Sequence, residues 1–342
     1  MPELPEVEAQ RRLLARHIVG RRVGIVVATE QGGGPRDGLF DDKVFGDEGV
    51  DPPHVCAALQ DRWVTAANRR GKQLWLELSE RAGGATCSCL LLHFGMTGSC
   101  VVEGVEAHVY KSFAIDDAAW PPRFTKLELR LTDAGGAHTC ALAFTDPRRF
   151  GRLLLRGAAP LQSPPLAGLA ADPILDPPSE AQFAAALARV AAPVKALLLD
   201  QNKVVAGVGN WVADEVLYQA GVLPSSPANT LAPAQVAAVY ASMLAVCREA
   251  CDCDADSGRF PPSWLFHYRW ANQTSGSMAS PLGRIHFDTV GGRTTAFLPT
   301  KQRAGTAAPA PKPPKAAAKR PKKAAAGDAG GGDAGGGGEG GG

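Results

Sequence analysis

The sequence lacks any apolar run approaching the 18 residues that a membrane-spanning helix needs. Its opening residues, MPELPEV, also lack the basic and then apolar pattern of a secretory signal. From these two absences we expect neither a membrane-spanning segment nor a secretory leader. With 342 residues and 45% hydrophobic content, the chain is long enough to build two or more cores.

The cysteine spacing matches no common zinc site. Eight cysteines stand at positions 56, 87, 89, 100, 140, 247, 251 and 253. The last three lie together in CREACDCDAD, but no second paired cluster and no HxxxH partner accompanies them. The sequence therefore predicts structural or free thiols, which stay reduced inside a cell, and it predicts no cofactor and no metal.

Basic residues outnumber acidic residues only in the C-terminal segment. The net charge is +2, yet residues 301–342 hold eight Lys or Arg against three acids, which leaves 28 basic against 31 acidic residues in positions 1–300. From about residue 304 the chain is rich in Ala, Pro and Lys and then almost pure Gly. Such a composition cannot bury enough apolar surface to offset the entropy of ordering, so we predict a disordered tail over 304–342.

The rest of the sequence predicts an α+β fold in three parts. Residues 20–155 carry short strand-like runs separated by Gly, Pro and Asp turns, which indicates an antiparallel sandwich or barrel within an N-terminal domain of residues 1–155. Residues 156–255 are alanine-rich with helical periodicity and predict a helical domain. Residues 256–303 return to short strands around a Gly-Gly pair, which predicts a small β-hairpin module.

The opening stretch MPELPEVE is consistent with a capped helix and also with a nucleophile. Proline near a helix start and carboxylates in the first turn favour a helix, and apolar residues follow at helical spacing: Leu4, Val7, Leu14 and Ile18. Removal of Met1, however, would expose the secondary amine of Pro2 beside Glu3. A terminal amine has a pKa of about 7.7–8.0 against about 10.4 for lysine, so more of it is unprotonated and able to attack a sugar carbon. Spacing alone leaves both interpretations open.

Three stretches of the strand-rich part carry residues that packing does not require. Lys72 follows a glycine turn in RRGKQLWLEL, where it can reach a cleft or simply face solvent. Met96 lies in the glycine-flanked loop of LLHFGMTG, and TDPRRFGRLLL places Phe150 among three arginines. An apolar wedge beside arginine is typical of a loop that enters a stack of nucleic-acid bases. A partly buried methionine and solvated side chains are the alternatives.

Two later stretches contain groups that bind phosphate. GVGN ends at Asn210, just before a helical pattern, so glycine amides and the Asn210 side chain would face an anion at the helix start. GGRTTAF places Arg293 on a hairpin turn beside two hydroxyl residues. An ordinary helix start and a surface turn are the alternatives.

Taken in order along residues 1–303, these motifs resemble formamidopyrimidine-DNA glycosylase, a relative of the endonuclease VIII enzymes. The resemblance rests on MPELPEVE, RRGKQL, HFGMTG, TDPRRFG, DQNKVVAGVGN and GRTTAF. It implies a bifunctional glycosylase and AP lyase of base excision repair, with an N-terminal β-sandwich domain flanked by helices and a helix-two-turn-helix domain. Double-stranded DNA containing an oxidised base or an abasic site would lie in the cleft between them, bound to a monomer.

The resemblance also implies the catalytic roles. Pro2 would attack the anomeric carbon of the damaged nucleoside, and Glu3 would be the main proton-transfer group. Lys72 would help position the phosphate and sugar, and Glu6 would support the site. The Schiff base on Pro2 would acidify the neighbouring sugar proton, so that β,δ-elimination cuts the strand without a hydrolytic water.

Five further residues would contact the DNA if the resemblance holds. Met96, Arg148 and Phe150 would occupy the gap left by the flipped-out nucleotide, which recovers part of the stacking lost at a cost of a few kcal/mol. Asn210 and Arg293 would bind the phosphates that flank the lesion. Because residues 1–300 are slightly acidic overall, DNA binding would rest on a local basic cleft.

The C-terminal module departs from the bacterial members of that family, which end in a four-cysteine zinc finger. Residues 256–303 contain no cysteine, and His267 and His286 are too few to rebuild a zinc site. The segment instead resembles the plant-type enzymes with a zincless finger. We expect aromatic packing to replace the metal, through Phe260, Trp264, Phe266, Phe287 and Phe297.

Lesion preference and location are further expectations. The bacterial enzymes help hold oxidised guanine with a loop, whereas the corresponding stretch here, ANQTSGSMASPLG, is small and polar. We therefore expect formamidopyrimidines, further-oxidised guanines and abasic sites to be processed more readily than simple oxidised guanine. The basic cluster AAAKRPKKAA in the tail predicts a nuclear location or extra salt-sensitive DNA affinity, with a plain solvated tail as the alternative.

Two rival functions deserve comparison. A terminal proline also serves as the general base of tautomerases, but those are short chains with no use for DNA-contact motifs. A lesion-binding scaffold without turnover would keep the DNA surface but would not need Pro2, Glu3 and Lys72 together. Trapping a covalent adduct would distinguish the enzyme from the scaffold.

Overall fold

The computed structural model describes residues 2–111, 113–270 and 275–307. The predicted disordered tail lies outside the described residues from residue 308 onward. Its first residues, 304–307, are instead bound to the helical domain, because the Gly305 amide donates to Ser226 Oγ at 3.2 Å and the Ala307 amide to the Thr230 carbonyl at 2.8 Å. The helices are α1 (Leu4–His17), α2 (Pro52–Leu59), α3 (Glu180–Ala188), α4 (Val194–Leu199), α5 (Asn210–Gln219) and α6 (Pro233–Asp252). In these ranges no helix combines the length and apolar character that crossing a bilayer requires.

An antiparallel sheet fills the N-terminal half. Its strands are β1 (Arg22–Val27), β2 (Trp63–Arg70), β3 (Gln73–Ser79), β4 (Ser88–His93), β5 (Ser99–Val102), β6 (Thr125–Thr132), β7 (His138–Thr145) and β8 (Arg152–Gly157). They run in the order β5-β7-β6-β1-β2-β3-β4-β8. The β1–β2 pairing is limited to Arg22 opposite Trp63, and apolar side chains from both four-strand halves share one core. The sheet is therefore the predicted sandwich, folded at a narrow junction.

Helix α1 confirms the helical part of the interpretation of the opening stretch. All four residues predicted to form its apolar face are fully buried: Leu4, Val7, Leu14 and Ile18. Glu3 is the N-cap residue, and its backbone N–H donates to Glu6 Oε2 at 3.0 Å. This bond satisfies one amide that a helix start leaves without a partner. Helix α1 therefore begins at Leu4, directly after Pro2 and Glu3.

The helical domain has its own core around Trp211 of α5. Phe260, Trp264 and Phe266 pack there, with ring centroids 5.7, 6.5 and 5.0 Å from the Trp211 ring. These three aromatic residues were expected to stabilise the C-terminal module in place of a metal. They instead extend the helical core, because the segment that carries them precedes the first C-terminal strand.

The C-terminal module is a three-stranded antiparallel sheet, not a two-stranded hairpin. Its strands are β9 (Gly276–Ser280), β10 (Gly283–Val290) and β11 (Arg293–Phe297), in the order β11-β10-β9. Phe287 is buried with Tyr218 and Leu265, and Phe297 lies beside His286. Gly291 and Gly292 both have positive φ, which suits the two-residue turn between Val290 and Arg293. This turn holds Arg293 at the tip of the module.

Candidate active site

The Glu3 carboxylate is bound to the first turn of α5. Its Oε1 accepts the backbone N–H of Trp211 at 3.0 Å, and its Oε2 accepts that of Val212 at 3.1 Å. The side chain is almost fully buried. The N-terminus of a helix presents free amides and a partial positive charge, both of which favour a carboxylate. Glu3 thus joins the N-terminal residues to the helical domain.

Two glycines of the GVGN motif make this contact sterically feasible. A Cβ on Gly209 would overlap the carboxyl group of Glu3. Gly207 has a φ of +100°, and a Cβ there would lie 2.6 Å from Leu4 Cδ1. The backbone N–H of Leu4 donates to the Gly207 carbonyl at 3.1 Å. The helix start after this motif, predicted to bind an anion, therefore binds the side-chain carboxylate of Glu3 through the amides of Trp211 and Val212.

Lys72 lies close to the Glu3 carboxylate and to the GVGN motif. It occupies the turn between β2 and β3 and follows Gly71, whose φ is +56° and whose added Cβ would lie 2.9 Å from Ala206 Cβ. Its Nζ donates to the Val208 carbonyl at 3.0 Å. Burial lowers the pKa of Lys72, while the charge of Glu3 opposes that shift. The structure therefore brings Lys72 and Glu3 together, as the sequence predicts.

Glu6 is positioned one helical turn after Glu3. Its Oε1 accepts the indole N–H of Trp211 at 2.9 Å, in addition to the bond from the Glu3 amide. Burial, reinforced by the charge of Glu3, raises the pKa of Glu6 to about 7. Glu6 can therefore exchange a proton near neutral pH.

A buried charge network supports the Lys72 turn, and sequence reasoning missed it. Arg69 donates to Glu8 at 3.0 Å and to Asp172 at 2.5 Å, and Asp172 also accepts the Gly71 amide at 2.7 Å. Burial opposes ionisation of Glu8, but hydrogen bonds and charge from Arg11 and Arg69 outweigh it and lower the pKa of Glu8 to about 2. Asp172 lies 103 residues beyond Arg69 in sequence, so no local pattern reveals the contact.

The predicted DNA wedge is assembled from two loops that touch. Thr97 Oγ1 donates to Asp146 at 2.8 Å, and Asp146 also accepts the amide of Arg148 at 3.2 Å. The Arg148 guanidinium lies over the Phe150 ring, 5.1 Å from its centroid, and Phe150 is half-exposed. Met96, next to Thr97, is therefore on the adjoining loop.

Arg149, one of the three arginines in TDPRRFGRLLL, points away from the predicted wedge. Arg149 Nε donates to Asp41 Oδ2 at 2.8 Å, and its Nη2 donates to Asp41 Oδ1 at 2.9 Å. Its φ is +58°, so the backbone turns sharply at this residue. Arg149 therefore anchors the loop and does not add a cation to the predicted stacking surface.

Asn210 and Arg293, predicted to bind phosphate, lie at the junction of α5 and the C-terminal sheet. Asn210 Nδ2 donates to the Thr294 carbonyl at 3.0 Å, so this donor is engaged within the protein. Arg293 is exposed, and its charge adds to the lowering of the pKa of Lys72 by burial. The two residues and Lys72 therefore share one side of the cleft.

His93 was missed by sequence reasoning, although it stands at the start of HFGMTG. Burial, with the charges of Lys72 and Arg152, lowers the pKa of His93 to about 4. Its Nδ1 accepts the Gly95 amide at 3.3 Å. Strand pairing places it opposite Gln73, next to Lys72. The ring is thus neutral at physiological pH and keeps its Nε2–H as a donor.

Comparison with known proteins identifies the family. The family model described as the formamidopyrimidine-DNA glycosylase N-terminal domain matches residues 1–153, and the one described as the H2TH domain matches residues 169–261. The formamidopyrimidine-DNA glycosylase of Arabidopsis thaliana is 36% identical over 304 residues, which are 89% of this chain and 71% of that protein. The chain belongs to the formamidopyrimidine-DNA glycosylase family. It is therefore an enzyme, a DNA glycosylase of base excision repair.

Solved structures of this glycosylase family share the architecture. The MutM (Fpg) protein of Thermus thermophilus is 29% identical with a TM-score of 0.62, covering 89% of this chain and 100% of its own. The Lactococcus lactis Fpg, solved in complex with DNA containing an abasic site, has a TM-score of 0.65 at 24% identity, covering 88% and 99%. At 24% identity, the similarity to the Lactococcus lactis Fpg shows only that the fold is shared.

The residues of this glycosylase do not fit a zinc ion at the C-terminal module. Among residues 2–111, 113–270 and 275–307, no three His, Cys, Asp or Glu side chains come together as a metal site would require. All eight cysteines are free thiols and lie before the module. The described residues of the module are joined by strand pairing and by a small apolar cluster.

The raised pKa of Glu6 generates a pH prediction for stability. Since the folded-state pKa is about 7 against 4.5 for the ordinary carboxyl, the native state holds this proton more tightly. The stabilising contribution is complete below pH 4.5 and is lost as the pH rises through 7. Glu6→Gln removes the ionisation, so the free energy of unfolding of the variant relative to wild type should be higher at pH ~8 than at pH ~5. Urea unfolding at both pH values measures this, and an equal change at both would contradict it.

Proposed function

We propose that this chain is a bifunctional DNA glycosylase and AP lyase that removes oxidised purines, including formamidopyrimidines, and cuts the strand by β,δ-elimination. The observation that carries the proposal is the fixed Glu3 carboxylate beside Pro2, where the first residues of the chain meet α5. Lys72 completes the group from the β2–β3 turn. In this proposal Pro2 is the nucleophile, Glu3 is the proton-transfer group and Lys72 is the nearby cation.

The chemistry follows from a terminal secondary amine. Once Met1 is removed, the lone pair of the Pro2 nitrogen attacks C1′, the bond from C1′ to the damaged base breaks, and the base leaves with a proton. The sugar ring opens as the nitrogen forms an iminium with C1′. Loss of a C2′ proton then breaks the C3′–O bond and expels the 3′ phosphate, and loss of the C4′ proton in a second elimination breaks the C5′–O bond and expels the 5′ phosphate. Glu3, bound next to Pro2, moves the protons of these steps.

The cleft beside this group suits the DNA backbone. Lys72, Arg293 and the Nε2–H of neutral His93 offer three donors to phosphate oxygens along one side. Asn210 joins them when DNA displaces its bond to Thr294. The Lactococcus lactis Fpg, which shares this fold, has been solved with DNA containing an abasic site, and this supports the same substrate class here.

The paired loops suit a flipped nucleotide. Phe150 is exposed with Arg148 stacked on it, and the neighbouring loop carries Met96. An apolar ring with a cation can enter the vacated space and recover stacking energy. We assign these three side chains to the gap in the duplex.

Monomeric action and a nuclear location are also part of the proposal. We infer a monomer from the resemblance. The same inference is supported by the fact that one chain supplies every group named above. The nuclear location rests on AAAKRPKKAA, which lies outside the described residues.

We predict that simple oxidised guanine is a poor substrate. In the small polar stretch ANQTSGSMASPLG, residues 271–274 lie outside the described residues, and most of the remainder forms β9 and the turn to β10. The described residues of this stretch are therefore mostly paired in the sheet and not free to form a base-holding loop. Formamidopyrimidines, further-oxidised guanines and abasic sites should react faster. Single-turnover rates on duplexes that differ only in the lesion measure the order, and the fastest rate on simple oxidised guanine would refute it.

The Schiff base itself is tested by borohydride trapping on a duplex with one abasic site. Wild-type protein should form a covalent adduct, whereas Pro2→Gly should form far less and a form that retains Met1 should form none, because the secondary amine is absent or blocked. Peptide mapping of the adduct should locate the link at Pro2. Tight binding of the lesion without any wild-type adduct would favour the scaffold instead.

A further inference from the structure

A buried cluster of charges ties the C-terminal sheet to the helical domain. Asp214 of α5 accepts from Arg269 Nη2 at 2.8 Å, and its Oδ1 lies 2.7 Å from Lys195 Nζ of α4. Asp214 and Lys195 are fully buried, and the Arg269 side chain is 6% exposed. Because a buried charge costs several kcal/mol unless it is paired, this cluster has little freedom to rearrange.

The same cluster binds β11 at three successive residues, through the backbone of two and the hydroxyl of the third. Lys195 Nζ donates to the Thr294 carbonyl at 3.1 Å and to Thr295 Oγ1 at 2.7 Å. Asp214 Oδ2 accepts the Ala296 amide at 3.1 Å. Together these bonds fix both the position of the strand along its axis and the face that it turns toward the helices.

Arg293 is the first residue of this strand. Side chains alternate along a strand, so Arg293 points to the same side as Thr295, whose hydroxyl contacts Lys195. The preceding turn is also seated on a helix, since a Cβ on Gly291 would lie 2.7 Å from Ala196 Cβ. A shift of β11 by one residue would move Arg293 to the opposite face.

We propose that Asp214, Lys195 and Arg269 are positioning residues that set the register of β11 and thereby hold Arg293 against a DNA phosphate. This charge cluster anchors the C-terminal sheet, whose side chains do not fit a zinc ion, to the helical domain. The inference rests on the proposed function, because it assumes that Arg293 contacts DNA. It assigns no catalytic contact to the three residues.

The test measures the salt dependence of affinity for a duplex with a tetrahydrofuran abasic analogue. Each phosphate contact adds about 0.9 to the slope of log affinity against log salt. Arg293→Ala should therefore lower the slope by about 0.9, and Asp214→Asn should lower it by the same amount. The slope of the variant that combines Arg293→Ala and Asp214→Asn should be no lower than that of either single variant, because both changes remove the same phosphate contact.

Two more variants separate positioning from general damage. Thr295→Val keeps the shape but removes the hydroxyl's bonds to Lys195 Nζ and to the Arg293 carbonyl. It serves if Asp214→Asn does not fold, and it should lower the slope by a smaller amount. Glu215→Gln changes the next buried carboxyl of α5, which bonds to Phe266 and Gln219 and not to β11. This control should leave the slope unchanged.

The outcomes distinguish the inference from the proposed function. If Arg293→Ala lowers the slope while the folded cluster variants do not, or if the losses add in the double variant, the positioning role is wrong and the function stands. If Arg293→Ala itself leaves the slope unchanged, the phosphate contact in the proposed function is wrong, and the positioning role falls with it.

Discussion

The site depends on two hydrogen bonds from the first turn of α5 to the carboxylate of Glu3. They link the second residue after the initiator methionine to a helix that begins 207 positions later in the chain. Hydrogen bonds to a charged group contribute about 1.5–3 kcal/mol each, and the partial positive charge of the helix end adds to them. The terminal amine and the cleft are therefore held together by the carboxylate that would move its protons.

Buried charges fix the other walls of the cleft. Arg69 with Glu8 and Asp172 holds the Lys72 turn, and Asp214 with Lys195 and Arg269 holds the strand of Arg293. Such networks add little net stability, but removing one partner typically costs about 3–5 kcal/mol. Their value lies in specifying one arrangement. The proposed reaction aligns an amine, a sugar carbon and two phosphates, and it therefore needs this geometric precision more than it needs extra stability.

Local patterns predicted much of the fold, whereas contacts across the chain were beyond them. The periodicity of Leu4, Val7, Leu14 and Ile18 correctly predicted a buried helix face, because that signal is contained in neighbouring residues. The ordered motifs also predicted catalytic roles for Pro2, Glu3 and Lys72, and these roles stay predictions. By contrast, Asp172 and Asp214 were missed, and Arg149 and three aromatic residues were placed wrongly. Their positions depend on partners far along the chain, which composition and spacing do not encode.

The central claim is that the contact between Glu3 and α5 organises the catalytic groups. Gly209→Ala tests it, because the φ of −120° suits alanine while the added methyl would overlap the Glu3 carboxyl group. Gly157→Ala is the matched control, since a Cβ there meets nothing within 4 Å. Single-turnover cleavage of an abasic duplex, with thermal melts to verify folding, should fall about 100-fold in Gly209→Ala alone. Equal cleavage by both variants would contradict the claim.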